Sequence, residues 1–158
     1  MRHRLLLIVI ASLAPACVGQ NRYWNETWNF CVNHPAGWSA HHPVDEYAIE
    51  FTRGASVSMS FGAIKDNESL EDNFRSAYLT GDARILGRQD TRFLGRSAIV
   101  ATVIGDGTPM KVHRIMTVAD DKKGVIYEFQ LTAPDLKTLE RYLPKFNSEQ
   151  ESFKFNCK

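Results

Sequence analysis

The chain has no apolar run long enough to cross a bilayer. Its one uninterrupted stretch, Leu5 to Ala11 and on through Leu13, falls short of the roughly 20 residues that a transmembrane helix needs. Charge of either sign is not in excess: 19 Lys and Arg stand against 18 Asp and Glu, which argues against a strong nucleic-acid or anionic-lipid surface. From Asn21 onward there is no low-complexity tract, internal repeat or long linker, so residues 21–158 read as one domain. Nucleophile-elbow chemistry is excluded by the lack of a G-x-S-x-G; Gly54-Ala55-Ser56 and Gly95-Arg96-Ser97 read as turns entering strands. Gly105-Asp106-Gly107 lacks the longer glycine spacing and the Lys-Ser/Thr pair of a phosphate loop, and reads as a hairpin tip. Cysteine is scarce, with only Cys17, Cys31 and Cys157.

What is there begins with a leader. Met-Arg-His-Arg, the short apolar run and Ala14-Pro15-Ala16 supply the positive, apolar and A-x-A parts of a secretory signal peptide over residues 1–16, with cleavage as late as Gly19 as the alternative. Loss of Arg2 and Arg4 would take the net charge from +1 to −1, still close to balance. An exported chain meets an oxidising compartment, where Cys31 and Cys157 can pair and clip the two ends of the domain together; two unpaired buried thiols are the alternative. Cys17 is then left over. Either it is discarded by the later cleavage, or it becomes the lipidated first residue of a lipoprotein and the only attachment to a membrane.

Along the mature chain, Trp28 to Val32 reads as a strand ending at the turn Asn33-His34-Pro35-Ala36-Gly37. Tyr47–Thr52 and Ser56–Phe61 flank Arg53-Gly54-Ala55 as a hairpin, with Val57, Met59 and Phe61 on one face. At Ser69 the period changes. Ser69 and Asp72 make a capping-box-like start, and Leu70, Phe74, Ala77 and Tyr78 recur at helical spacing up to Thr80. Four extended segments follow, 83–90, 97–104, 110–118 and 125–131, separated by turn residues. A helix opened by Pro134, with Leu136, Leu139, Tyr142 and Leu143, precedes the tail Phe153-Lys154-Phe155. Three strands, a helix, four strands and a helix predict an α+β fold with an antiparallel sheet.

The stretch Phe30-Cys31-Val32-Asn33-His34-Pro35-Ala36-Gly37-Trp38, an apolar strand followed by Pro-x-x-Trp, together with Leu94-Gly95-Arg96-Ser97-Ala98 and the closing Ser152-Phe153-Lys154-Phe155, resembles the PsbP-like superfamily. That superfamily includes an extrinsic photosystem subunit, a nuclear-import factor that binds a Ran-type GTPase, and bacterial lipoproteins of unknown role. The resemblance implies a central antiparallel sheet flanked by helices, an α/β/α sandwich. It also implies action by binding proteins or small ligands, with no shared catalytic centre and no cofactor. Trp38, just after its Pro turn, reads as an apolar plug at the sheet's end.

Two sets of residues compete as a site. Tyr23, Trp24 and Trp28 form an aromatic group suited to a partner surface, because Trp and Tyr are enriched in interface hot spots. His34, His41 and His42, with Asp45 and Glu46, are the densest group of potential metal ligands, although their spacing matches no established metal motif. Cys31 is a poor nucleophile when a disulfide partner is available. His113, in mid-strand, reads as a hydrogen-bonded histidine rather than a base. The expectation is a non-enzymatic module of the periplasm, cell envelope or secreted space. It would hold a protein partner or a small apolar ligand, with a metal-binding protein or metal-dependent enzyme as the rival.

Overall fold

The computed structural model describes residues 22–42, 48–66, 68–105 and 109–157. Among them the elements run β1 (Arg22–Asn25), β2 (Phe30–Asn33), β3 (Ser39–His41), β4 (Ala48–Arg53), β5 (Val57–Lys65), α1 (Leu70–Tyr78), β6 (Arg84–Phe93), β7 (Arg96–Ile104), β8 (Val112–Asp120), β9 (Val125–Ala133), α2 (Leu136–Ser152) and β10 (Lys154–Phe155). The fold is α+β, and every strand pairing in it is antiparallel. A small sheet has the order β1-β2-β10 and a larger one the order β3-β4-β5-β9-β8-β7-β6.

Five strands precede α1, where the sequence pattern predicts three. The strand expected over Trp28–Val32 is instead the second arm of a hairpin. Trp28 and Asn29 lie in its turn, where the Trp28 amide donates to Asn25 Oδ1 at 2.9 Å and Asn29 takes a positive φ of 49°. β1 and β3 have four and three residues, too short for a period-two pattern to register. Past Gly37, whose φ of +76° suits glycine, the turn is pinned by Arg53 donating to the Gly37 carbonyl at 2.6 Å.

Both helices start on side-chain caps. Ser69 Oγ accepts from the Asp72 amide at 3.1 Å, as the capping pattern predicts. For α2 the cap is Asp135, accepting from the Thr138 amide at 2.7 Å, so Pro134 precedes the cap instead of occupying the first helical turn. The Pro signal and the cap differ by one residue because an Asp side chain can satisfy the open amides and a Pro ring cannot.

Alternation along β7 assigns its side chains to two clusters. Ala98, Val100 and Ile104 join Phe61, Phe129, Leu139 and Phe146, whereas Ile99, Ala101 and Val103 join Ile115, Leu70, Phe74 and Tyr78. The first cluster contains α2 residues and the second contains α1 residues. Phe153, 1% exposed, lies within 6.2 Å of the rings of Phe30, Phe93, Tyr127, Phe129 and Phe155, joining the small sheet to the large one. Trp38 is buried edge-on to Tyr142 of α2, at 5.5 Å between ring centroids.

Candidate functional site

Residues 1–21 lie outside the described residues, and with them the expected signal peptide and Cys17. Cys31 and Cys157 are joined in a disulfide that spans 126 positions and ties β2 to the second residue past β10. This closes the question of a Cys31 nucleophile, since a disulfide sulfur has no thiolate to attack with.

The three aromatic residues of the expected partner surface divide by strand geometry. In the β1–β2 hairpin Trp24 pairs with Cys31, and its side chain points outward, 43% exposed. Tyr23 turns the other way. Its ring lies 6.0 Å from Phe30 and 5.5 Å from His42, and its hydroxyl accepts from Asn25 Nδ2 at 3.1 Å. Burial raises the Tyr23 phenol above its ordinary pKa, with the Asn25 hydrogen bond opposing. Trp28 packs against the main cluster and is scaffold. Tyr23, Trp24, Glu26, Thr27 and His42 border a recess of about 340 Å³, with Trp24 as its exposed wall.

The candidate metal ligands do not converge. His34 stands edge-on to Phe51 at 5.1 Å, His41 Nε2 is 2.9 Å from Thr52 Oγ1, and His42 lies against Tyr23. Asp45 and Glu46 fall outside the described residues, and among the described residues no group of three or more His, Cys, Asp or Glu is arranged to hold an ion. The compact run of histidines is dispersed because His34 precedes the turn at Gly37, while His41 ends β3 and His42 follows it.

His113 is held by hydrogen bonds to Gln130 at 2.7 Å and Thr132 at 3.1 Å. Burial, helped by Lys111, pushes its pKa down and favours the neutral ring. It ends a transverse row set by strand register, Ser39, Thr52, Ser58, Thr132 and His113, on the sheet face opposite Phe61 and Phe129. The neighbouring row is His41, Glu50, Ser60 and Gln130. Farther along the same face, the buried Tyr78 hydroxyl of α1 hydrogen-bonds Glu128, and burial raises both pKa values.

The sequence reading also missed an edge. β6 ends the large sheet, and nearly its whole length is exposed. Its sequence, RILGRQDTRF, has charges in place of an alternating apolar face.

No protein-family model matches the chain, and no curated protein matches it by sequence. Solved structures do match. The cyanobacterial PsbP (CyanoP) of Synechocystis sp. PCC 6803 superposes with a TM-score of 0.60 at 12% identity, covering 85% of this chain and 91% of its own. The Ran-binding protein Mog1p of Saccharomyces cerevisiae gives 0.62 at 10% identity, covering 85% and 94%. A Pseudomonas aeruginosa protein of unknown function gives 0.51 at 11% identity, covering 75% and 85%. With these levels of identity the likeness is one of architecture, and it agrees with the Pro-x-x-Trp and closing Phe-Lys-Phe segments of the sequence: the chain has a PsbP-like fold.

Proposed function

We propose that this chain is an exported, non-enzymatic binding module that holds a protein partner, with Trp24 at the centre of the contact. The observation that carries the reading is an exposed Trp on a hairpin whose other arm is disulfide-bonded to the C-terminal tail. A large aromatic side chain on a rigid mount contributes contact area with little loss of conformational freedom on binding. The Ran-binding activity of Mog1p supports a protein partner for a module of this shape. A small apolar ligand fits less well, because Glu26, Thr27 and His42 share the recess beside Trp24.

Binding is preferred to catalysis because the groups with raised pKa values near α1, Tyr78 and Glu128, are turned toward each other and largely buried. Export is supported by the leader over residues 1–16 and by a disulfide that suits an oxidising compartment. The fate of Cys17, lipidated or removed by cleavage as late as Gly19, decides whether the module is anchored or free. We further read α1 and α2 as the outer layers of an α/β/α sandwich, on the strength of the division of β7 side chains between their two clusters.

The test is capture of envelope proteins by the wild type and by Trp24→Ala. A partner retained by the wild type and lost at least tenfold by the variant supports the reading; an identical captured set contradicts it. Intact mass of the protein from the envelope fraction reports export, through loss of the leader.

A further inference from the structure

We propose that the free edge of β6 accepts an extended acidic segment of a protein partner as an added strand. The inference deepens the binding-module reading and is independent of Trp24. β7 pairs with one side of β6, and among the described residues no strand pairs with the other. A bulge between Ile85 and Gly87 leaves Leu86 without a partner residue, after which Gly87–Phe93 stays in unbroken register with β7. Seven residues of regular edge are long enough to template a strand.

Charge selects the occupant. β6 has three Arg and one Asp. Arg88 is already engaged, with Glu71 of α1 at 3.1 Å through Nη1 and with Asp90 at 3.0 Å. Asp90 is thereby paired, sharing Arg88 with Glu71, while Arg84 and Arg92 form no ion pair among the described residues. Arg92 lies on the α1 side of the sheet and Arg84, before the bulge, on the other, and both edges of a β6 pair would carry net positive charge, which opposes self-association. A strand rich in Glu or Asp meets the opposite sign, at Arg92 on the α1 side or at Arg84 on the other according to the parity of its acidic positions.

Apolar side chains also find a place. Ile85 and Leu86 are 39% and 49% exposed, and Leu94 in the β6–β7 turn is 56% exposed. Between α1 and β6 lies a recess of about 540 Å³ bordered by Leu70, Arg88, Asp90, Arg92 and Ile99. Side chains of one parity on an added strand would face this recess. Main-chain hydrogen bonds supply affinity and the recess supplies selection, which is how strand addition usually divides the work.

The probe is a capped, fluorescent ten-residue peptide of alternating Val and Glu, titrated into the full mature protein and followed by anisotropy and by amide NMR shifts. Saturable binding is expected, at least tenfold tighter than that of the Val/Lys counterpart, with shifts centred on Gly87–Phe93. N-methylation of two adjacent central peptide amides should abolish it, since neither peptide edge can then pair fully. Arg84→Glu with Arg92→Glu should weaken binding at least tenfold while leaving the melting temperature near that of the wild type. Trp24→Ala should leave it unchanged. Equal affinity for the Glu and Lys peptides, survival of binding after N-methylation, shifts away from β6, absence of binding, or a β6-paired dimer would each overturn the proposal. If the edge fails while Trp24→Ala still loses a captured partner, the binding-module reading stands and only strand addition falls.

Discussion

The small β1-β2-β10 sheet and the β6 edge are both peripheral, yet they are built in opposite ways. β2 is buried from Phe30 through Val32, its Cys31 is bonded to Cys157, and Phe153 beside it inserts among five aromatic rings. β6 buries little, is charged and has one side of its backbone unpaired among the described residues. The difference teaches where the chain invests in rigidity. The terminal sheet fixes the mount on which Trp24 stands outward, whereas the β6 edge keeps its hydrogen-bonding groups open to a second chain.

The comparison can be broken hardest at Phe153. Phe153→Ala removes a buried ring from the junction of the two sheets, and denaturant unfolding should show a loss of about 3–5 kcal/mol. Replacing Cys31 and Cys157 together with Ala should cost about 2–5 kcal/mol in the same assay, because closure of a long loop no longer restricts the unfolded chain. A loss under 1 kcal/mol in both variants would mean that the terminal sheet is not the fixed region.

A smaller effect concerns the seat of α1. Burial raises the carboxyl pKa of Glu128, with the Tyr78 hydrogen bond opposing and Asp66 adding to the rise. A carboxyl whose folded pKa lies above its unfolded value contributes stability that is complete below the unfolded pKa and is lost as pH rises through the folded one. The stability of the wild type should therefore fall, relative to Glu128→Gln, as pH rises from the ordinary carboxylate range toward neutrality. Paired pH series of unfolding midpoints check the sign, and a difference that grows in the other direction would show that the Tyr78 hydrogen bond outweighs burial. Smallest of all, Trp24→Ala and the Arg84→Glu, Arg92→Glu pair should each change stability by less than about 0.5 kcal/mol, since these residues are exposed. Their effects belong in binding.

Much of the fold was legible locally. Val57, Met59 and Phe61 declare a half-buried strand by alternation and are all in the core, and Ser69 with Asp72 marks the start of α1. The spacing of Cys31 and Cys157, at the two ends of the domain, anticipated the clip now seen. Sheet order was not legible, because it depends on pairing between distant segments. β9 enters between β5 and β8, so the later four strands run outward and leave β6 at the rim. Nothing in residues 84–93 alone reports that β5 has chosen β9. The aromatic group was only partly legible for a similar reason: the β1–β2 hairpin turns Trp24 outward and Trp28 inward, and the second half of its turn, Trp28 and Asn29, reads as the start of a strand. The histidines misled because closeness in sequence does not survive the turn at Gly37.

The contrast between a fixed terminal sheet and an open β6 edge is tested most directly by amide hydrogen exchange on the oxidised and the reduced protein. The amides of β2 and β10 should be strongly protected when Cys31 and Cys157 are joined and should lose protection on reduction. In β6 only the amides that pair with β7 should be protected, and reduction should not change them. Equal protection of β10 in both redox states, or uniform protection along β6 matching that of central β9, would contradict the account.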